Sequence, residues 1–148
     1  MGGDGLFPVE NRAAGGSDRA NRSTNYKNWN GVMQLIWNKC AAGQWCRLHD
    51  VDLSTVEDQG VFVIWRSGGL TEMSGVLYVG RGTLRQEIVD CRRHPVFKDP
   101  GLLLTWAKVT HTSELDSVAA YLYQRLRPIW GEVVPVAQPM AVNLPLTA

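Results

Sequence analysis

Two short apolar runs, Gly60–Trp65 (GVFVIW) and Val76–Gly82 (VLYVGRG), constrain the fold of this chain more than any other feature. β-Branched and aromatic residues in runs this short, separated by the turn-rich segment RSGGLTEMSG, read as the two strands of a hairpin. The second run carries Tyr-Val-Gly and leads straight into the stretch Thr83–Arg93. There Leu84, Ile88 and Cys91 share one helical face while Arg85, Arg92 and Arg93 point outward. Pro95 closes this helix, and the apolar run Leu102–Val109 reads as a third, buried strand. A second amphipathic helix spans Ser113–Arg127, with Leu115, Val118, Leu122 and Leu126 inward, Ser113 and Asp116 resembling a capping pair, and Pro128 as its stop. The proline-spaced tail Ile129–Pro145 reads as an extended strap across the domain.

Upstream, residues 1–25 carry few large apolar side chains and read as a mobile arm with three arginines, Arg12, Arg19 and Arg22. Between Asn28 and Ala41, Trp29, Val32, Met33, Ile36 and Cys40 recur at three-to-four spacing. That spacing predicts a helix with Asn28 as N-cap and Gly43 as stop, and Trp37 and Trp45 near its end. Residues 46–59 read as a connector. The expected architecture is therefore α+β: an arm (1–25), an N-terminal helical extension with connector (26–59), and a domain (60–148) whose three-stranded sheet is flanked by helices.

At 148 residues the chain can bury a sizeable core, and its net charge of +1 supplies no global field toward polyanions. Recognition of nucleic acid must then rest on local clustering. No apolar run approaches the ~18–20 residues of a membrane span, so no membrane partner is expected. Three cysteines, Cys40, Cys46 and Cys91, leave no even framework, and with a first segment unlike a secretory signal they point to a reducing, cytoplasmic setting. Cys91 and His94 have a spacing used by zinc sites, which Cys40 and Cys46 would complete. Buried thiols are the commoner arrangement, and no metal site is assigned.

The succession of strand, hairpin, Tyr-Val-Gly strand, basic helix, third strand and second helix resembles the GIY-YIG nuclease superfamily. Gly60-Val61-Phe62 stands where Gly-Ile-Tyr would be, and Tyr78-Val79-Gly80 where Tyr-Ile-Gly would be. Ala120–Glu132 followed by Val142–Pro145 is similar to the closing helix and tail of stand-alone bacterial members. The likeness covers about Gly60–Pro145. It implies a small domain with a three-stranded sheet between helices, and DNA hydrolysis assisted by one divalent ion, Mg²⁺ or Mn²⁺. In that chemistry a tyrosine helps activate water, a helix arginine steadies the phosphate and a glutamate holds the metal.

Position by position, much of that equipment is replaced. The first-motif tyrosine is Phe62, the family glutamate falls on Ala119, the helix arginine on Glu87 and a nearby histidine on Cys91. Tyr78 survives, and Arg85 lies two residues before the expected arginine. Removing one preorganised electrostatic contact costs about 3–4 kcal/mol, so losing two such groups implies cleavage lost or strongly weakened. Arg81, Arg85, Arg92, Arg93, His94 and Lys98 then form a candidate phosphate-binding cluster, with DNA the expected partner and Tyr78 at its rim. Two alternatives stand beside this nucleic-acid-binding reading. One is an active metal-dependent endonuclease with relocated groups (Tyr78, Arg85, Asp116). The other is a non-enzymatic module that captures a protein partner through the Trp-rich N-terminal helix.

Overall fold

A strand buried on both faces must lie inside a layered structure, and Val61–Trp65 are wholly buried. The computed structural model describes residues 9–10, 26–28, 30–66, 75–130 and 136–145. In chain order these form β1 (Val9–Glu10), β2 (Tyr26–Lys27), β3 (Met33–Gln34), β4 (Lys39–Cys40), β5 (Cys46–Arg47), β6 (Gln59–Arg66), β7 (Val76–Thr83), α1 (Leu84–Arg93), β8 (Leu102–Lys108) and α2 (Leu115–Leu126).

The main sheet is antiparallel with order β5-β8-β6-β7. Ile64 pairs with Tyr78 on one side and Leu104 on the other, and Phe62 pairs with Gly80 and Trp106. Directly opposed residues share a face, so Phe62, Ile64, Tyr78, Leu104 and Trp106 all look toward α1. Val61, Val63, Trp65, Val79 and Ala107 look toward α2. Each face seals its own core: Leu84, Ile88 and Phe97 with loop residues Leu48, Val51 and Val56 on the first, Val118, Ala119, Leu122 and Leu126 on the second. The α+β expectation holds at that level, with four strands rather than three, because the connector contributes β5.

The expected N-terminal helix is absent from the described part of 28–41; Trp29 lies outside the described residues. Asn28 Oδ1 instead accepts the N–H groups of Asn30 and Val32, and Gly31 takes φ 81°. Together they make the turn that joins β2 to β3. Beyond it the chain is extended, burying Met33, Leu35 and Trp37 in alternation. The Trp-rich helical surface expected for a protein partner is correspondingly missing: Trp37 is buried and its Nε1–H donates to Asn143 O. The strap does cross here. Val142 bridges Met33 in parallel, and the Asn143 side chain accepts from Leu35 N–H at 2.6 Å while donating to Leu35 O. Within the expected arm, Val9 and Glu10 pair with Cys40 and Lys39; the remainder of 1–25, with its three arginines, lies outside the described residues.

The cysteine expectation is also corrected. Cys40 and Cys46 form a disulfide, six residues apart, with Cα atoms 5.1 Å from each other, while Cys91 is a buried free thiol. Both bonded cysteines sit in strands, so the bridge ties β4 to the edge strand β5. This removes the zinc arrangement that needed them as thiolates, and it removes the premise on which a cytoplasmic setting was inferred. No helix among the described residues is long and apolar enough to cross a membrane. Thiol titration of the unfolded, unreduced protein should count one free thiol per chain, rising to three after reduction. From loop-closure entropy, reduction should lower unfolding stability by about 2 kcal/mol.

Candidate functional site

Tyr78 is positioned by β7, and everything around it follows from how that strand ends and what covers its edge. α1 starts at Leu84, whose N–H is satisfied by Asp58 O rather than by a side-chain cap. Leu84, Ile88 and Cys91 bury one face, and the helix stops at His94, which is extended as a residue before proline must be. Pro95–Phe97 then form one 3₁₀ turn, with His94 Nδ1 accepting the Val96 N–H at 3.2 Å. This turn drives Phe97 into the core beneath Tyr78.

The other wall comes from beyond α2. Arg127 takes the left-handed conformation that ends the helix, and the chain turns back along β7. Ile129 N–H donates to Val76 O and Trp130 N–H to Leu77 O, at 3.0 and 2.8 Å. These two bonds cover part of the outer edge of β7 and fix Trp130. Four rings consequently meet: Tyr78 lies 5.4 Å from Phe97 and 6.4 Å from Trp130, and His94 lies 4.8 Å from Trp130 in an edge-to-face arrangement. Tyr78 is half-buried, whereas His94 is exposed. The sequence reading missed Trp130 and Phe97. A tryptophan two residues past the helix-stopping Pro128 was the available signal for the first.

The expected basic cluster is divided among different tasks. Arg81 sits on the opposite face of the sheet from Tyr78, where its Nε donates to Asp116 Oδ1 at 2.6 Å. Arg85 donates to Ser54 O at 3.1 Å. Arg92 donates through Nε to Leu48 O and through Nη2 to Val51 O, clasping the loop that packs on α1. Burial lowers the Arg92 pKa, and Asp50 and Asp52 oppose that shift. Arg93, His94 Nε2 and Lys98 have no hydrogen-bond or ion-pair partner among the described residues; His94 packs on Phe97 and Trp130, and Arg93 and Lys98 are exposed neighbours of His94 and Phe97 in the chain.

The first turn of α1, expected to cradle phosphate with Arg81 and Arg85, is flanked by acids. Glu87 lies over Gly82. Burial raises its carboxyl pKa, Asp90 adds to the shift and Arg81 opposes it. The capping role expected for Ser113 and Asp116 is not observed, since α2 begins after a 3₁₀ turn with no side-chain cap.

The positions matched to catalytic groups do not converge. Phe62 is wholly buried, its ring filling the space that a Cβ on Gly80 would need. Ala119 is also wholly buried, but in the core on the other side of the sheet. Asp116, the candidate substitute carboxylate, is engaged by Arg81. Cys91 is pushed up to about 12, first by burial and then by Glu87 and Asp90, so its thiol stays protonated and is no ready metal ligand. Among the described residues no three His, Cys, Asp or Glu side chains are grouped to hold a metal ion. Compared with family models, curated proteins and solved structures, the chain finds no match.

Proposed function

We propose that this chain is a nucleic-acid-binding protein on a GIY-YIG-like scaffold whose hydrolytic groups have been replaced. The order of elements supports the scaffold: hairpin, α1, third strand and α2 follow one another as that resemblance implies, with helices on both faces. The observation that carries the binding reading is the survival of uncommitted donors at one place. Of the six basic residues singled out from the sequence, Arg93, His94 and Lys98 have no donor group engaged among the described residues; His94 packs on Phe97 and Trp130, and Arg93 and Lys98 are the chain neighbours of His94 and Phe97. Cations beside aromatic side chains are what nucleic-acid grooves are made of. Loss of cleavage is supported by Phe62 and Ala119, which lie on opposite faces of the sheet and bring neither a proton acceptor nor a metal ligand toward Tyr78.

Fluorescence anisotropy of labelled oligonucleotides across a salt series, with parallel cleavage assays in Mg²⁺ and Mn²⁺, tests this. Binding should weaken as salt rises, without metal-dependent cleavage. Arg93→Ala with Lys98→Ala should flatten the log–log salt slope by roughly 1 for each charge removed. Arg92→Ala should act differently. It strips two carbonyls of a charged donor and should lower stability by about 2–4 kcal/mol, leaving the salt slope of the remaining folded protein unchanged. Absence of salt-dependent binding to both DNA and RNA would overturn the proposal.

A further inference from the structure

We infer that the ligand of the aromatic end is single-stranded nucleic acid, held by an unpaired base against the Trp130–His94 corner with Arg93 and Lys98 on the flanking phosphates. This rests on the binding reading above and narrows it. The corner is built before any ligand arrives. Trp130 is fixed through its own backbone bond to Leu77, and His94 is fixed by the extended conformation before Pro95. Because His94 Nδ1 accepts the Val96 N–H, the neutral ring carries its proton on Nε2, which is left to donate to a base edge or a phosphate oxygen.

Charge argues for the unpaired strand. A surface that tracks duplex backbone needs a row of cations, each neutralising a phosphate. Here Arg81 is paired with Asp116 on the opposite face of the sheet from Tyr78, Arg85 and Arg92 are turned to the loop carbonyls of Ser54, Leu48 and Val51, and the whole chain carries only +1. The pair Arg93 and Lys98 is too few to follow a double helix, and acidic Asp90 and Asp99 lie close by in sequence. They can bracket one or two nucleotides. The base of an unpaired nucleotide offers a face for stacking, whereas in a duplex that face is covered by its neighbours. Aromatic stacking is tolerant of base identity, so little sequence preference is expected.

The experiment uses the full chain with three probes: a fluorescein-labelled ten-nucleotide oligo-dT, its RNA counterpart and a blunt twenty-base-pair duplex. A fourth probe places 2-aminopurine in the single strand to report stacking. The expected result is single-strand binding at least about ten-fold tighter than duplex binding, with 2-aminopurine quenched on association. Trp130→Ala should weaken single-strand binding by about ten-fold or more with circular dichroism unchanged, and His94→Ala by several-fold. If Trp130→Ala does not fold, His94→Ala and the 2-aminopurine signal decide the matter, because His94 is exposed. Duplex bound as tightly as single strand, or wild-type affinity in the folded variants, would overturn this inference and leave the broader binding reading standing. No binding to any probe would overturn both.

Discussion

Ala119→Glu, the substitution that would return a carboxylate to the position the GIY-YIG resemblance reserves for a metal ligand, should destabilise the protein without restoring cleavage, alone or with Phe62→Tyr. Ala119 is wholly buried on the sheet-facing side of α2, among Val118, Leu122 and the inward residues of β6 and β7. A glutamate there must push neighbours apart and either lose its hydration or ionise without a partner. The expected cost is about 4 kcal/mol or more, or a fall in melting temperature of about 8–16 °C for a chain this size. The pH dependence distinguishes this from simple overpacking. Burial raises the carboxyl pKa in the folded state above its unfolded value, so the cost is smallest below the unfolded value and grows as pH rises through the interval between them. Urea unfolding at pH 4 and pH 7, on variant and parent alike, should show a larger difference at pH 7. A variant as stable as the parent, with metal-dependent nicking regained, would show that the two sides of the sheet communicate in a way this arrangement forbids.

Gly60→Ala should be damaging for a purely steric reason. A Cβ at Gly60 would lie 2.0 Å from Ala107 O, 2.9 Å from Ala107 C and 3.0 Å from Lys108 Cα. All three are main-chain atoms of β8, paired directly with β6, so no side chain can swing aside. The strands must separate where the ladder joins Gly60 to Lys108. The expected loss is about 3 kcal/mol or more. Urea unfolding measures it, and amide exchange should show faster opening along β6 and β8 than along α2. A shift of less than about 1 kcal/mol would mean that the strand pairing near Gly60 is looser than described. The first glycine of the motif-like tripeptide therefore has a packing role independent of any chemistry.

What the sequence made legible was the regular part of the fold. Hydrophobic runs and three-to-four spacing placed β6, β7, α1, β8 and α2 within about two residues of their observed ends, because each buries a face large enough to dominate local preference. The segment from Asn28 to Ala41 misled for an instructive reason. Val32, Met33 and Ile36 satisfy helical spacing, but Met33, Leu35 and Trp37 satisfy alternation equally well. The decision lies with Asn143, more than a hundred residues away, whose side chain offers Leu35 both halves of a strand pairing. No local pattern encodes that partner. The Cys40–Cys46 bridge was likewise hidden behind an odd cysteine count. The basic cluster was legible as composition and not as geometry: helical periodicity cannot say that Arg92 reaches loop carbonyls or that Arg81 finds Asp116 across the sheet edge. Trp130 escaped because its position depends on a chain reversal after α2 that leaves no periodic trace.

The clasp between Asn143 and the β3 region also sets a timetable. Its hydrogen bonds join residues 106 and 108 positions apart, so an emerging polypeptide exposes Met33, Leu35 and Trp37 long before their cover is synthesised. At ~5–20 residues per second that interval is about 5–20 s. For those seconds the ribosome presents an uncovered apolar stretch, which makes the nascent chain a natural client for holding chaperones.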